Sequence, residues 1–364
     1  MQVKDIIKEL ELFAPPSFQE SYDNAGLIVG NSNDAVSAAL ISLDITEEVV
    51  QEAIDRKCDL IISHHPIIMG GIKRLNGNNY VERSVIKAIK NNIAIYACHT
   101  NADSVKTGVN GMISKKIGLQ NCKILDPKKN SLLKLVTYAP KANADAVREA
   151  IFSAGAGNIG NYDSCSFNTE GTGTFKANAD ANPHVGNLGE LHQEEEIRIE
   201  TVVPAYLKNK VVSALLKSHP YEEVAFDLFP LENVWNEVGS GMIGELPEAE
   251  SELDFLKRIK KIFNVGCIKY TSLLNKPVKK VALCGGAGSF LVNKAKALGA
   301  DVFISGDFKY HQYFDAENQL VIADIGHFES EQFTKELFYE LLTKKIPNFA
   351  VCLSNVNTNP IKYL

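Results

Sequence analysis

His64 and His65 in IISHHP are the densest chemical feature of the chain, two adjacent imidazoles placed directly after the apolar run Leu60 to Ile62. In an open α/β sheet, ligands gather outside the carboxyl ends of the strands, so a strand ending in imidazoles presents them where a bound group would sit. A lone histidine there most often caps a helix or hydrogen-bonds in the core, and adjacency brings the two readings level. A second apolar run, IAIYAC, ends in His99, Thr100, Asn101 and Asp103. If sequential strands are neighbours, these groups reach the same rim as His64. Asp103 is a hard oxygen ligand, and His99 reads as a hydrogen bonder that orients one.

The third contribution is VIADIGHFESEQF, an apolar run leading into Gly326, His327 and a helical pattern with apolar Phe333, Leu337, Leu341 and Leu342. If helical geometry begins by His327, Glu331 at i+4 shares its face and Glu329 at i+2 does not. A later start makes Glu329 the rival, and both carboxylates also suit the first turn of a helix. His64, His65, Asp103, His327 and a glutamate thus come from three strand ends. A single zinc needs three or four protein ligands, so five indicate two metals bridged by a carboxylate and a water, roughly 3.5–4 Å apart. Imidazole with carboxylate suits Zn, Fe, Mn or Co alike. The absence of cysteine from the set argues against a structural zinc, and open coordination positions are what hydrolysis needs.

Other strand ends are polar too. Asp44 follows ISL, Asp324 precedes Gly326, and SGDFKYHQ carries Asp307, Lys309 and His311. Lys309 and His311 are candidates for contacting an anionic substrate or donating a proton, against the plainer reading that they hold a local helix. Asp23 and Asn24 in SYDNAGL suit substrate binding or ligand positioning. CGGAGSF is neither GxxxxGK[ST] nor GxGxxG, although its amides and Ser289 could hold an anion where a helix starts. AGAGNIG reads as a helix stop and turn.

The elements that must place these groups follow from periodicity. Strand-length runs at 39–43, 60–63 and 93–97 alternate with the helical EEVVQEAIDRK and YVERSVIKAIKNN. Runs at 281–283, 302–305 and 321–324 alternate with FLVNKAKALGA and EQFTKELFYELLTKK. This grammar predicts an α/β protein with parallel or mixed sheets covered on both faces. Between the two stretches the order becomes strand, helix, strand, strand, helix, strand, a small α+β sandwich bounded by DPKKNS and LENVWNEVG. We therefore expect lobe 1 at residues 1–126, an inserted domain at 127–235 and lobe 2 at 236–364, the outer segments forming one domain in two halves or two similar lobes packed together. The length of 364 residues suits more than one domain.

Lys plus Arg number 38 against 44 Asp plus Glu, a net charge of -6 that disfavours a nucleic-acid binder driven by a broad basic field. Seven scattered cysteines, never spaced CxxC, read as free thiols in a reducing compartment, which points to the cytoplasm. The start MQVKDIIKELELF lacks a continuous apolar core and a cleavage signal. No stretch approaches the roughly 18 apolar residues of a membrane span.

HHP, CHTNAD, GDFKYHQ and GHFESE, with SYDNAGLIVG and GSGMIGEL, together resemble the dinuclear-metal-centre proteins labelled GTP cyclohydrolase type 2 homologues, the Nif3-like family. The resemblance implies His64, His65, Asp103, His327 and Glu331 as the metal ligands, choosing Glu331 over Glu329. It implies two similar α/β lobes around two divalent metals, and ring-like homo-oligomers, commonly hexamers. Longer members carry a ferredoxin-like insertion resembling PII and copper-tolerance proteins, which the central SHPYEEVAFDLF stretch matches; this likeness supplies no ligands. The functional expectation is a metal-dependent hydrolase of a phosphorylated or nucleotide-like small molecule. The alternative is a noncatalytic metal-binding or regulatory scaffold.

Overall fold

Short runs of Val, Ile, Leu and Ala make strands that are buried on both faces, and amphipathic helices cover them. The computed structural model describes residues 1–364. The chain divides into two units, Met1–Pro127 with Asn236–Leu364, and Lys128–Trp235. In chain order, the first unit opens with α1 (Val3–Phe13), β1 (Gly26–Val29), β2 (Ala38–Ser42), α2 (Glu47–Asp55), β3 (Leu60–Ser63), α3 (Tyr80–Lys90) and β4 (Ala94–Ala97). It continues through α4 (Thr100–Ser104), α5 (Val109–Ile117) and β5 (Gln120–Lys128). The second unit holds β6 (Leu132–Pro140), α6 (Ala144–Ser153), β7 (Ser166–Lys176), β8 (Leu191–Pro204), α7 (Lys208–Ser218) and β9 (Phe226–Leu231). The chain then returns through β10 (Trp235–Glu250), α8 (Glu252–Ile262), β11 (Lys269–Tyr270), β12 (Val278–Ala287), α9 (Val292–Ala297), β13 (Val302–Gly306) and β14 (Val321–Asp324). It ends with α10 (His327–Glu331), α11 (Thr334–Lys345) and β15 (Ala350–Leu353).

The first unit contains a five-stranded sheet of order β1-β4-β3-β2-β15 and a six-stranded sheet of order β11-β14-β13-β12-β10-β5. In the former, β2, β3 and β4 run parallel in register, Ile41 beside Ile62 and Ile62 beside Tyr96. In the latter, β12, β13 and β14 are the parallel strands, Val281 beside Val302 and Val302 beside Val321. Each sheet therefore has a parallel centre whose strand ends all point the same way, which is what gathers side chains at one rim. Two of the covering helices begin at side-chain caps: Thr46 accepts from Val49 N for α2 and Asn79 from Glu82 N for α3. The α/β reading of both outer stretches holds. β15 was not anticipated. It pairs parallel with β2, Leu353 beside Ile41, and Arg56 Nη1 donates to Leu353 O at 2.8 Å.

The second unit is a four-stranded antiparallel sheet of order β7-β8-β6-β9 carrying α6 and α7. This is the ferredoxin-like βαββαβ arrangement. Its core joins Leu135, Val147, Ile151, Ile199, Val211 and Leu215, all essentially inaccessible. No helix of the chain is long and apolar enough to cross a membrane.

The strands that carry the chain out of and back into the first unit, β5 and β10, are neighbours in its sheet. At Gly239 a Cβ would sit 2.2 Å from Asp126 O, so the two backbones are in contact there. Closing such a gap with a short linker adds little entropy cost. We predict that excising 128–235 with a Gly/Ser linker leaves a folded protein with unchanged bound metal. Circular dichroism and metal analysis check this, and a well-folded deletion protein that has lost its ions would contradict it.

Candidate metal centre

The parallel strands of both sheets end at one cluster. His64 and His65 follow β3, Asp44 follows β2, His99 follows β4, Asp307 follows β13, and His327 opens α10 after β14. Three overlapping sets, His64/His65/His99, His65/His327/Glu331 and His64/Asp103/Glu331, each bring one ligand atom per residue within 4.8 Å of one another. His64 is wholly buried and Glu331 nearly so.

The hydrogen bonds explain how the rings are aimed. His64 Nδ1 donates to Cys98 O at 3.0 Å, which a carbonyl can only accept. His65 Nδ1 lies 2.7 Å from Asp44 Oδ1, His99 Nδ1 2.7 Å from Asp23 Oδ1, and His327 Nδ1 2.7 Å from Asp307 Oδ2. Each imidazole thus commits Nδ1 outward and turns Nε2 inward, the arrangement by which outer partners fix the tautomer of a metal-bound histidine. Inside, His64 Nε2 stands 3.6 Å from Asp103 Oδ1 and 3.7 Å from Glu331 Oε1. Glu331 Oε2 stands 3.0 Å from His65 Nε2 and 3.1 Å from His327 Nε2, and these two nitrogens are 3.3 Å apart. His64 Nε2 and Asp103 Oδ1 are buried with no hydrogen-bond partner. Orphaned buried polar atoms are rare unless something else satisfies them. Converging nitrogen and carboxylate atoms of this kind fit divalent cations.

Electrostatics support the same fit. Burial and the nearby Glu331 charge push the Asp103 carboxyl up to about 8. Burial opposes ionisation of Glu331, yet His64, His327 and His65 hold it well below the usual carboxylate range. Burial would depress His65 and His327, but Asp44 and Glu331 raise His65 to about 10, and Glu331 with Asp307 raises His327 to about 9. Asp23, despite burial, is held down to about 2 by His99 and Thr100. The carboxylates thus favour positive charge at these imidazoles, the same charge that cations would bring. The buried thiols of Cys98 and Cys284 are pushed up by burial and are unsuited to ligation as thiolates.

The backbone makes room for the carboxylate. At Gly286, φ is +61° and a Cβ would meet Glu331 Oε1 at 2.3 Å. The amides of CGGAGSF are already committed: Gly285 N donates to Asn110 Oδ1, Gly286 N to Ser330 Oγ and Gly288 N to Ser305 Oγ, at 2.8, 2.9 and 2.9 Å. That loop packs against Glu331 rather than offering its NH groups to an anion.

The structure brings His64, His65, Asp103, His327 and Glu331 together. Glu329 is turned elsewhere and accepts from Asn359 Nδ2 at 3.0 Å. Lys309 and His311 are exposed at the turn Tyr310–Ala316, and neither hydrogen-bonds or ion-pairs with the cluster. The GDFKYHQ segment reaches His327 through Asp307, whose φ of +58° turns the chain. His99 enters the imidazole group itself, its ring centroid 5.2 Å from those of His64 and His65. Thr358, whose hydroxyl donates to Asp44 Oδ2 at 2.5 Å, lies in a C-terminal tail without periodic pattern, so nothing in the sequence marked it.

The Duf34/NIF3 (NGG1p interacting factor 3) family model matches residues 1–360. The chain belongs to the DUF34/NIF3 family. It is 41% identical to a GTP cyclohydrolase 1 type 2 homolog of Halalkalibacterium halodurans, over 99% of this chain and 98% of that one. The Bacillus subtilis homolog of the same name is 36% identical over 99% and 98%. A crystal structure of a Bacillus cereus protein related to NIF3 superposes with a TM-score of 0.87 at 38% identity, covering 100% of this chain and 99% of that one. The NIF3 relationship spans both units described above.

Because the neighbouring carboxylates raise His65 and His327, metal loading is expected to compete with protons at these imidazoles. Metal affinity is therefore predicted to rise with pH through pH 6–9, with proton release on binding. Calorimetry in buffers of different ionisation enthalpy measures it; binding without proton release would contradict the assignment. Gly286→Ala should lower bound metal while retaining the fold, read by metal analysis and circular dichroism.

Proposed function

We propose that His64, His65, Asp103, His327 and Glu331 hold two divalent metal ions, Zn, Fe, Mn or Co, and that the protein is a metal-dependent hydrolase of a phosphorylated or nucleotide-like small molecule. The observation that carries this reading is the convergence of two unpartnered buried ligand atoms, His64 Nε2 and Asp103 Oδ1, with the Glu331 carboxylate beneath imidazoles aimed by Asp44, Asp307 and Cys98 O. When bound, such cations supply Lewis acidity that activates water and stabilises developing negative charge. The chain's own groups bind and orient. Glu331, facing His64 with one oxygen and His65 and His327 with the other, would hold cations through both oxygens. Lys309 and His311, exposed beside the Asp307 turn, are proposed for substrate contact and proton donation, which requires substrate or a local movement to bring them to the cluster. Cytoplasmic residence and a homohexameric ring belong to the same proposal and rest on the thiols and on the family resemblance.

Metal analysis of chelator-free protein is expected to approach two ions per chain, with Asp103→Ala or Glu331→Ala losing at least one and Glu329→Ala losing none. Saturation of the wild type at one ion would sink the two-metal reading. Profiling of the loaded protein against phosphomonoesters and nucleotides should find hydrolysis that chelation abolishes and metal restores. Lys309→Ala and His311→Ala should reduce turnover more than metal content. Full loading with no turnover across the panel would instead favour the noncatalytic scaffold.

A further inference from the structure

The SHPYEE segment takes no part in the metal cluster, yet it builds a wall of a cavity of about 650 Å³ within the unit Lys128–Trp235. That volume lies in the range of small-molecule sites. His219 sets the wall. Its Nδ1 accepts from Tyr221 N at 3.1 Å, so its proton is on Nε2, which donates to Tyr138 O at 2.8 Å. These bonds tie the segment after α7 to β6 and fix the Tyr221 ring, 5.0 Å from the centroid of His219, 6.1 Å from Phe175 and 6.2 Å from His184.

A carboxylate lies in the same place. Tyr221 OH donates to Glu196 Oε1 at 3.1 Å. The other oxygen rests where β7 has no side chain: a Cβ on Gly173 would stand 2.2 Å from Glu196 Oε2. Of the nearby acids, Glu170 pairs with Lys141 and Glu200 with Lys134 and Arg198, while Glu194 lies 2.9 Å from His192 Nε2. Glu196 forms no ion pair, and Arg198, the guanidinium on the lining, is engaged by Glu200 at 2.8 Å. Lys176 also lines the cavity, outnumbered by Glu222 and Glu223 together with Glu196. Glu222 accepts from Asn182 N at 2.8 Å, holding the 177–190 segment at the rim.

We infer that this cavity binds an amphipathic organic cation, an amine whose ammonium meets Glu196 and whose apolar part lies among Tyr221, Phe175 and His184. Aromatic faces attract cations, and a carboxylate set among them adds a direct counter-charge. A phosphate group would meet Glu196 and the two glutamates at the rim.

Calorimetry on the full-length protein tests this with millimolar 2-phenylethylammonium, its neutral counterpart 2-phenylethanol, and ATP. The cation is expected to bind and the alcohol to bind far more weakly. Glu196→Gln should weaken the cation by about tenfold or more, the scale of losing a charged hydrogen bond. Gly173→Ala, which drives a methyl into the carboxylate, should weaken it similarly, with metal content and circular dichroism unchanged in Glu196→Gln. Equal binding of alcohol and amine, no binding of the amine to wild type, an unaltered affinity in Glu196→Gln, or ATP binding that Glu196→Gln leaves intact would each overturn the inference.

Discussion

Four imidazoles that each commit Nδ1 to an outer acceptor leave four Nε2 atoms facing inward, and two carboxylates face them in the same buried volume. Removing such charges from water is unfavourable unless opposite charge accompanies them. Positive charge must therefore be present, as protons on His65 and His327 or as cations. The remaining architecture makes that crowding persist. Each sheet delivers its contribution from the carboxyl ends of parallel strands, and His64 is anchored through the carbonyl of Cys98 in the next strand's turn. The glycines of the β12 turn close against Glu331 and keep its carboxylate from swinging away.

Much of this was legible because it depends on local pattern. Apolar runs between amphipathic helices specify β2 to β4 and β12 to β14, while i+4 spacing from His327 left Glu331 and Glu329 open and the family resemblance chose Glu331. What escaped notice depends on direction and distance along the chain. Asp23 orients His99 across 76 residues, so His99 looked like an orienting group rather than a member of the imidazole set. SGDFKYHQ displayed Lys309 and His311, while a left-handed residue at Asp307 decides which side chain reaches His327. Glycines suggested an anion loop because the acceptors that consume their amides, Asn110, Ser305 and Ser330, come from other elements. β15 and Thr358 lie in a tail whose role exists only through pairing with β2 and Asp44.

The ferredoxin-like unit holds itself together without any residue of the cluster. Its core is complete between one sheet and two helices. Glu196 is a carboxylate held by Tyr221 beside aromatic rings, with no ion pair of its own. The metal cluster and the Glu196 cavity thus carry two separate proposals, each resting on a carboxylate fixed by hydrogen bonds in its own unit.

The central proposal is that the inward nitrogens and the Glu331 carboxylate would hold two cations. Anomalous diffraction from metal-loaded crystals, collected across the absorption edge of the bound metal, tests it most directly. The account predicts two anomalous peaks per chain, with Glu331 touching both and His64, His65, Asp103 and His327 divided between them. A single peak, or two peaks that Glu331 does not share, would contradict it.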